Sequence, residues 1–151
     1  MNDNHLKYMK IAIIEAKKAE QKAEVPIGAL LVAENEEILS ETHNQTITLN
    51  DPTAHAEILA LREGAQKTRN PRLLNTTLYV TIEPCLMCMG AIVHARISKL
   101  VFGAKDPKWG GAGSLYNLAN DNRLNHKVEI IEGVCEEECR FLMQAFFRQK
   151  R

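Results

Sequence analysis

The chain has 151 residues, 45% hydrophobic and 25% charged, and its 19 basic and 19 acidic side chains cancel to zero net charge. That length suits one domain, 1–151, with a single sizeable core, and no apolar run approaches the roughly 20 residues that span a bilayer. Balanced charge gives no global attraction to a polyanion, so any nucleic acid must be held by local patches. The opening Met1-Asn2-Asp3-Asn4-His5 lacks the charged-then-apolar layout of a secretory signal, which makes the cytoplasm the expected compartment.

From Asn4 to Ala23, Leu6, Met9, Ile13 and Ala16 recur at helical spacing among lysines, predicting an amphipathic helix. Pro26 and Gly28 punctuate the chain, and Ile27 to Ala33 reads as a buried strand. Glu34-Asn35-Glu36 is a turn and Glu37 to His43 a second strand paired with the first. Asp51-Pro52-Thr53 has the look of a helix start, with a helix from about Ala54 to Lys67 that turns Ile58, Leu61 and Ala65 to one side. Thr77 to Ile82 is a β-branched strand, Cys85 to about Ala95 a helix opened by Pro84, and Lys99 to Phe102 the next strand. Val128 to Ile131 is a further strand, and Glu136 to Gln149 closes the chain as a helix whose acidic first turn suits the helix dipole. This alternation predicts an α/β fold with a central sheet covered by helices. Leu86 to Val93 is apolar nearly all round, so that helix is buried on more than one side, and a second copy of the chain is one source of the cover.

The chemistry is concentrated in two short segments, Asp51-Pro52-Thr53-Ala54-His55-Ala56-Glu57 and Glu83-Pro84-Cys85-Leu86-Met87-Cys88. Alone, His-Ala-Glu is a common triplet, and a Cys-x-x-Cys pair serves equally a redox couple or half of a structural zinc site. Together they are specific. Cysteines three apart lie on nearly one helix face and grip a single ion, and at a helix start the dipole favours the thiolate. His55 and Glu57 are two apart, so both reach one ion only if it sits off the helix N-terminus. His55 then ligates while Glu57 faces a water on the ion. Two thiolates and a neutral imidazole balance Zn²⁺ and leave a fourth position for water, whose pKa falls towards neutrality. This ligand set with a non-ligating glutamate, H-x-E…P-C-x-x-C, is the signature of zinc deaminases acting on bases.

At these residues the sequence resembles the bacterial tRNA-specific adenosine deaminases of the cytidine-deaminase superfamily. The resemblance runs through Val25-Pro26-Ile27-Gly28-Ala29, His43-Asn44, the two zinc segments, Leu78-Tyr79-Val80-Thr81, Phe102-Gly103-Ala104-Lys105-Asp106 and Gly113-Ser114-Leu115. It continues in Asn125-His126-Lys127-Val128-Glu129 and Phe146-Phe147-Arg148. It implies a cytidine-deaminase-like three-layer α/β/α fold with a mixed five-stranded sheet, one Zn²⁺ per subunit, a homodimer, and conversion of adenosine to inosine at the wobble position of a tRNA anticodon stem-loop. By the same resemblance Asn44 contacts the target base, Ala56 offers its backbone beside the activated water, Asp106 meets the flanking ribose, and Phe147 and Arg148 meet the anticodon loop. Gln45 stands where some members carry arginine.

Phe141 to Arg151 holds three basic residues, no acid and three phenylalanines, a mixture that suits phosphate charge and base stacking; packing of Phe141, Leu142, Ala145 and Phe146 on the core is its other use. Gly103 to Ser114 has four glycines but no Gly-Lys-Ser/Thr ending, and reads as a substrate rim rather than a phosphate loop. Trp109 within it either stacks on a base or joins the core. His94 and His126 read as structural or surface groups, and Cys135 and Cys139 as thiols outside the zinc site. Two rivals stay open: a deaminase of a free base such as guanine or cytosine, and a structural zinc module without turnover.

Overall fold

A computed structural model describes residues 3–150, so Arg151 of the basic C-terminal segment lies outside the described residues. In chain order the elements are helix α1 (Asp3–Gln21), strands β1 (Gly28–Val32) and β2 (Ile38–His43), helix α2 (Ala56–Thr68), strand β3 (Thr77–Ile82), helix α3 (Leu86–His94), strands β4 (Lys99–Ala104) and β5 (Glu129–Ile131), and helix α4 (Glu136–Gln149). The strands form one sheet in the order β2-β1-β3-β4-β5. Strand β1 is antiparallel to both β2 and β3, whereas β3, β4 and β5 run parallel. The sheet is mixed and five-stranded, as the resemblance implies.

Side chains alternate across the pleat and build a core on each face. Ala29, Leu31, Leu78, Val80, Leu100 and Phe102 pack with α2 and α3. Leu30, Val32, Tyr79 and Val101 pack with α1 and α4. The result is three layers, α/β/α. Because β3 and β4 are parallel and in register, Ile82 opposite Ala104, the segments leaving both strands emerge at one edge of the sheet. That edge carries the site, where ligands collect in open parallel sheets.

Several local expectations shift. On α1 the buried stripe is His5, Tyr8, Met9, Ala12, Ile13, Ala16 and Ala19, and Leu6 faces outward. Asp51 does not start a helix: its Oδ1 accepts the Thr53 N–H at 2.9 Å and the Thr53 hydroxyl at 2.7 Å in a local turn, and α2 begins only at Ala56. The inner face of α2 is Ala56, Ala60, Leu61 and Gly64 rather than Ile58, Leu61 and Ala65. The reason is close approach: a Cβ at Gly64 would lie 2.4 Å from Leu31 Cδ2, so small residues face the sheet where a search for large apolar side chains misses them. Strand β4 continues past Phe102 to Ala104. On α4, Leu142 and Phe146 are buried but Phe141 is 63% exposed, so the packing face is narrower than the four residues expected.

Gly28 sets how near α1 comes to the sheet. A Cβ there would fall 1.9 Å from the Ala12 carbonyl oxygen and 2.6 Å from the Ala16 nitrogen, both backbone atoms. Gly28→Ala should therefore cost about 3 kcal/mol in urea unfolding, since α1 must lift as a body. An unchanged unfolding midpoint would contradict that packing.

Candidate active site

Helices α2 and α3 begin in the same way. His55 is the N-cap of α2, with extended backbone (φ −70°, ψ 152°), and Cys85 is the N-cap of α3 (φ −74°, ψ 175°); neither side chain caps its helix. Both side chains are therefore free to turn towards each other across the sheet edge. Cys88, third residue of α3, stands at the position whose side chain meets the N-cap in a capping box. That is the structural reason for two intervening residues between the cysteines.

His55 Nδ1 lies 3.7 Å from Cys85 Sγ and 3.4 Å from Cys88 Sγ, and the three donor atoms are all within 4.8 Å of one another. A tetrahedral ion with Zn–N and Zn–S bonds of ordinary length holds nitrogen and sulfur about 3.6 Å apart. The observed separations straddle that value. The protonation pattern also fits a cation. A hydrogen bond from Cys88, and then one from His55, holds the Cys85 thiol down at about 4 despite burial. The same Cys85 contact, with burial, drives Cys88 upward. Without an ion, one sulfur is a thiolate only while its neighbour keeps its proton; a dication between them removes the conflict.

Glu57 is the second residue of α2 and is 4% exposed. Burial pushes its carboxyl up to about 7, opposed by a backbone hydrogen bond and the nearby His55 charge, and it also contacts Cys88. A carboxyl with this environment beside one imidazole and two thiols is suited to exchanging protons near neutral pH. Ala56 opens α2, so its N–H is among those that the helix itself leaves unbonded.

Asn44 is buried at the end of β2, its N–H donating to the Ile27 carbonyl at 3.0 Å; the Gln45 N–H then donates to Ala54 O at 3.0 Å and ties this segment to the start of α2. Asp106 follows β4, and its Oδ1 accepts the N–H groups of Lys108 and Trp109 at 3.1 and 3.3 Å. Trp109 is 68% exposed, which removes it from the core. Phe147 and Arg148 stand exposed at the end of α4, whose packing is on the face of the sheet opposite α2 and α3, outside this cluster. His126 donates from Nε2 to Ile97 O at 2.7 Å, a structural bond, and His94 is exposed. Among the described residues Cys135 and Cys139 take no part in a metal-competent group; Cys139 is buried against Gly103.

Two acids escape a reading by motif. Glu24 is wholly buried and accepts the N–H groups of Ile47 and Thr48 at 3.2 and 2.6 Å, fixing the loop between Asn44 and His55. Glu83, two residues before Cys85, is likewise buried and accepts from the loop after β4. No local motif marks either: Glu24 lies four residues before β1 and Glu83 directly follows β3, and the partners of both are distant in sequence.

The family model of the cytidine and deoxycytidylate deaminase zinc-binding region matches residues 2–104, which span the whole metal-competent group. The chain belongs to this deaminase family. Within it, the chain is 53% identical over 144 residues to the tRNA-specific adenosine deaminase of Bacillus subtilis (strain 168), covering 95% of this chain and 89% of that one. It is 50% identical over 145 residues to the enzyme of the same name from Haemophilus influenzae (strain ATCC 51907 / DSM 11121 / KW20 / Rd), covering 96% and 84%. A solved structure from work on A-to-I editing by tRNA:A34 deaminases at the wobble position superposes with a TM-score of 0.87 at 39% identity, over 90% of this chain and 98% of that one. A zinc-binding deaminase family and a His/Cys/Cys group at tetrahedral spacing agree on Zn²⁺ as the cofactor of this deaminase.

The thiol assignments have a direct chemical test. In the metal-free deaminase, alkylation of Cys85 by iodoacetamide should stay nearly flat from about pH 9 to pH 5 and fall only near its pKa of about 4, because the thiolate persists above that value. Cys139, pushed up to about 12 by burial, should not react in that range, and zinc should protect Cys85. Alkylation of Cys85 that climbs with pH around the ordinary thiol value would contradict the assignment.

Proposed function

We infer that this chain is a zinc-dependent hydrolase that converts adenosine to inosine at the wobble position of a tRNA anticodon. The observation that carries the reaction class is the open three-ligand group with a buried carboxyl, Glu57, that is not one of the ligands. The substrate follows from the chain's identity to tRNA-specific adenosine deaminases along nearly its whole length. It makes chemical sense, since an exocyclic amine is reached only in a nucleotide splayed out of its stack, as in an anticodon loop. One deaminase domain, 1–151, performs the reaction.

His55, Cys85 and Cys88 would hold a zinc ion, which when bound would supply Lewis acidity that makes a water molecule easier to deprotonate. Glu57 accepts one proton of the attacking water at its carboxylate and passes it to a ring nitrogen as the carbon–oxygen bond forms, then takes the water's remaining proton and delivers it to the amine as the carbon–nitrogen bond breaks. Adenosine and water leave as inosine and ammonia. Burial keeps the Glu57 carboxyl near 7, where it both takes and returns protons. The Ala56 N–H, at the positive end of α2, stabilises the oxygen that gains charge.

Asn44 contacts the target base and Asp106 the flanking ribose. Phe147, 46% exposed, and Arg148 meet the anticodon loop by stacking and phosphate contact, and Lys150 follows them in the same exposed turn. The zero net charge then matters little, because the basic groups are local. Helix α3 leaves Leu86 43% and Met87 39% exposed, with open space beside Gly90, and a second copy of the chain covers this apolar face in a homodimer. Among the described residues no helix is long and apolar enough to cross a membrane, and the cytoplasm, which holds the tRNA and keeps the four cysteines reduced, is where the chain works.

The test is inosine formation on an anticodon stem-loop with a wobble adenosine, beside free adenosine, guanine and cytosine. The wild type should act on the RNA alone and sediment at the mass of two copies. Glu57→Gln should keep zinc and RNA binding but lose turnover by about 10³-fold, because proton transfer fails. Preferential turnover of free guanine, a monomeric mass, or an active Glu57→Gln would each contradict its part of this reading.

A further inference from the structure

The loop that follows β4 is wound around a single buried carboxyl. Glu83 directly follows β3 at 3% exposure, its N–H donating to Ala104 O at 2.8 Å. Its Oε1 accepts the Asp106 N–H at 3.1 Å and the Ser114 hydroxyl, and its Oε2 accepts the N–H groups of Ala112 and Ser114, both at 3.0 Å. Three N–H donors and one O–H converge on two oxygens, a set met only by a group that accepts through both. These partners lie 23 to 31 residues downstream, so the contact is tertiary rather than a local cap.

The fit is close on both sides. A Cβ at Gly110 would stand 2.4 Å from the Glu83 carboxyl carbon, so the loop backbone approaches the carboxyl as only glycine permits. The Gly111 N–H donates to Pro84 O at 2.7 Å, and Gly110 pairs with Cys85 in an isolated bridge. One short segment, 83–85, therefore both holds the loop and supplies a ligand. With its N–H taken by Glu83, Asp106 turns its carboxyl to Lys108 and Trp109, and the loop presents Trp109, Leu115 and Tyr116 to solvent, 68%, 51% and 51% exposed.

We propose that Glu83 is a positioning residue for substrate recognition: it sets where the 106–114 loop stands relative to the metal centre, and so governs RNA binding without entering the chemistry. This rests on the reading of the chain as an RNA-acting deaminase. Nothing in the ligand motif requires an acid at this place; the requirement comes from the four donors of the loop. Glu83→Gln preserves size but replaces one acceptor oxygen with an N–H₂ group, which faces at least one pair of donors with another donor. Gly110→Ala disturbs the same contact from the loop side.

The test uses the zinc-loaded chain in three measurements: metal content, amide hydrogen exchange across 106–114 without substrate, and steady-state kinetics on the wobble-adenosine stem-loop. Glu83→Gln should keep its zinc and speed exchange at Asp106, Ala112 and Ser114. It should raise KM by about tenfold, the scale of a buried donor left unpaired, with kcat within about threefold of wild type. Gly110→Ala should do the same, and the double variant should be no worse than the poorer single one, because both act through one contact. Unchanged exchange, faster exchange with unchanged KM, loss of zinc together with kcat, or additive KM effects would each overturn the proposal. A wild type inactive on the RNA overturns the functional reading instead, and the exchange data then decide alone whether Glu83 anchors the loop.

Discussion

The molecule depends on two helix starts that meet. His55 and Cys85 are both N-caps in extended backbone, and neither spends its side chain on its own helix. The parallel pairing of β3 with β4 fixes the start of α3, and the Gln45–Ala54 hydrogen bond fixes the start of α2. Only then do an imidazole and two sulfurs from distant parts of the chain fall within 4.8 Å. Bound zinc links α2 to α3 in return, so its binding free energy adds to fold stability as well as to chemistry. The positive ends of both helices face the site, which favours negative charge there, thiolate at Cys85 included.

A second constraint is the use of buried acids. Glu15, Glu24, Glu57 and Glu83 are each at most 5% exposed in a chain of zero net charge. Three of them are met by donors: Glu15 by His43 and Lys18 at 2.9 and 2.6 Å, Glu24 and Glu83 by loop N–H groups. Among the described residues no buried side-chain nitrogen or oxygen lacks a hydrogen-bond partner. Glu57 differs in kind. Burial raises its pKa, whereas against burial the hydrogen bonds and charges of His43 and Lys18 leave Glu15, and the hydrogen bonds of the 46–48 loop leave Glu24, below the ordinary value. Burial outweighs the donors at Glu57, and the donors outweigh burial at Glu15 and Glu24.

The metal-competent group of His55, Cys85 and Cys88 was legible in the sequence because its spacing is tied to helix starts, where side chains from two helices can converge. Strand positions were legible too, since β1, β3 and β4 alternate or run continuously apolar. Helix faces were less so. Ala60 and Gly64 turn inward on α2 because the sheet is close, while periodicity weights the larger Ile58. Asp51 carries the composition of a helix cap but is engaged by Thr53. The roles of Glu24 and Glu83 were hidden because their partners are backbone groups more than twenty residues away, which no local pattern encodes.

An open metal centre would have three protein ligands, a fourth position left for water, and a carboxyl alongside that does not ligate. X-ray absorption at the zinc edge of the loaded protein distinguishes it from a closed one. Two sulfurs at about 2.3 Å, one imidazole nitrogen and one further light atom at about 2.0 Å are expected, with the same shell in Glu57→Gln. A third sulfur, or a shell that loses its light atom in Glu57→Gln, would mean a closed or carboxylate-ligated site instead.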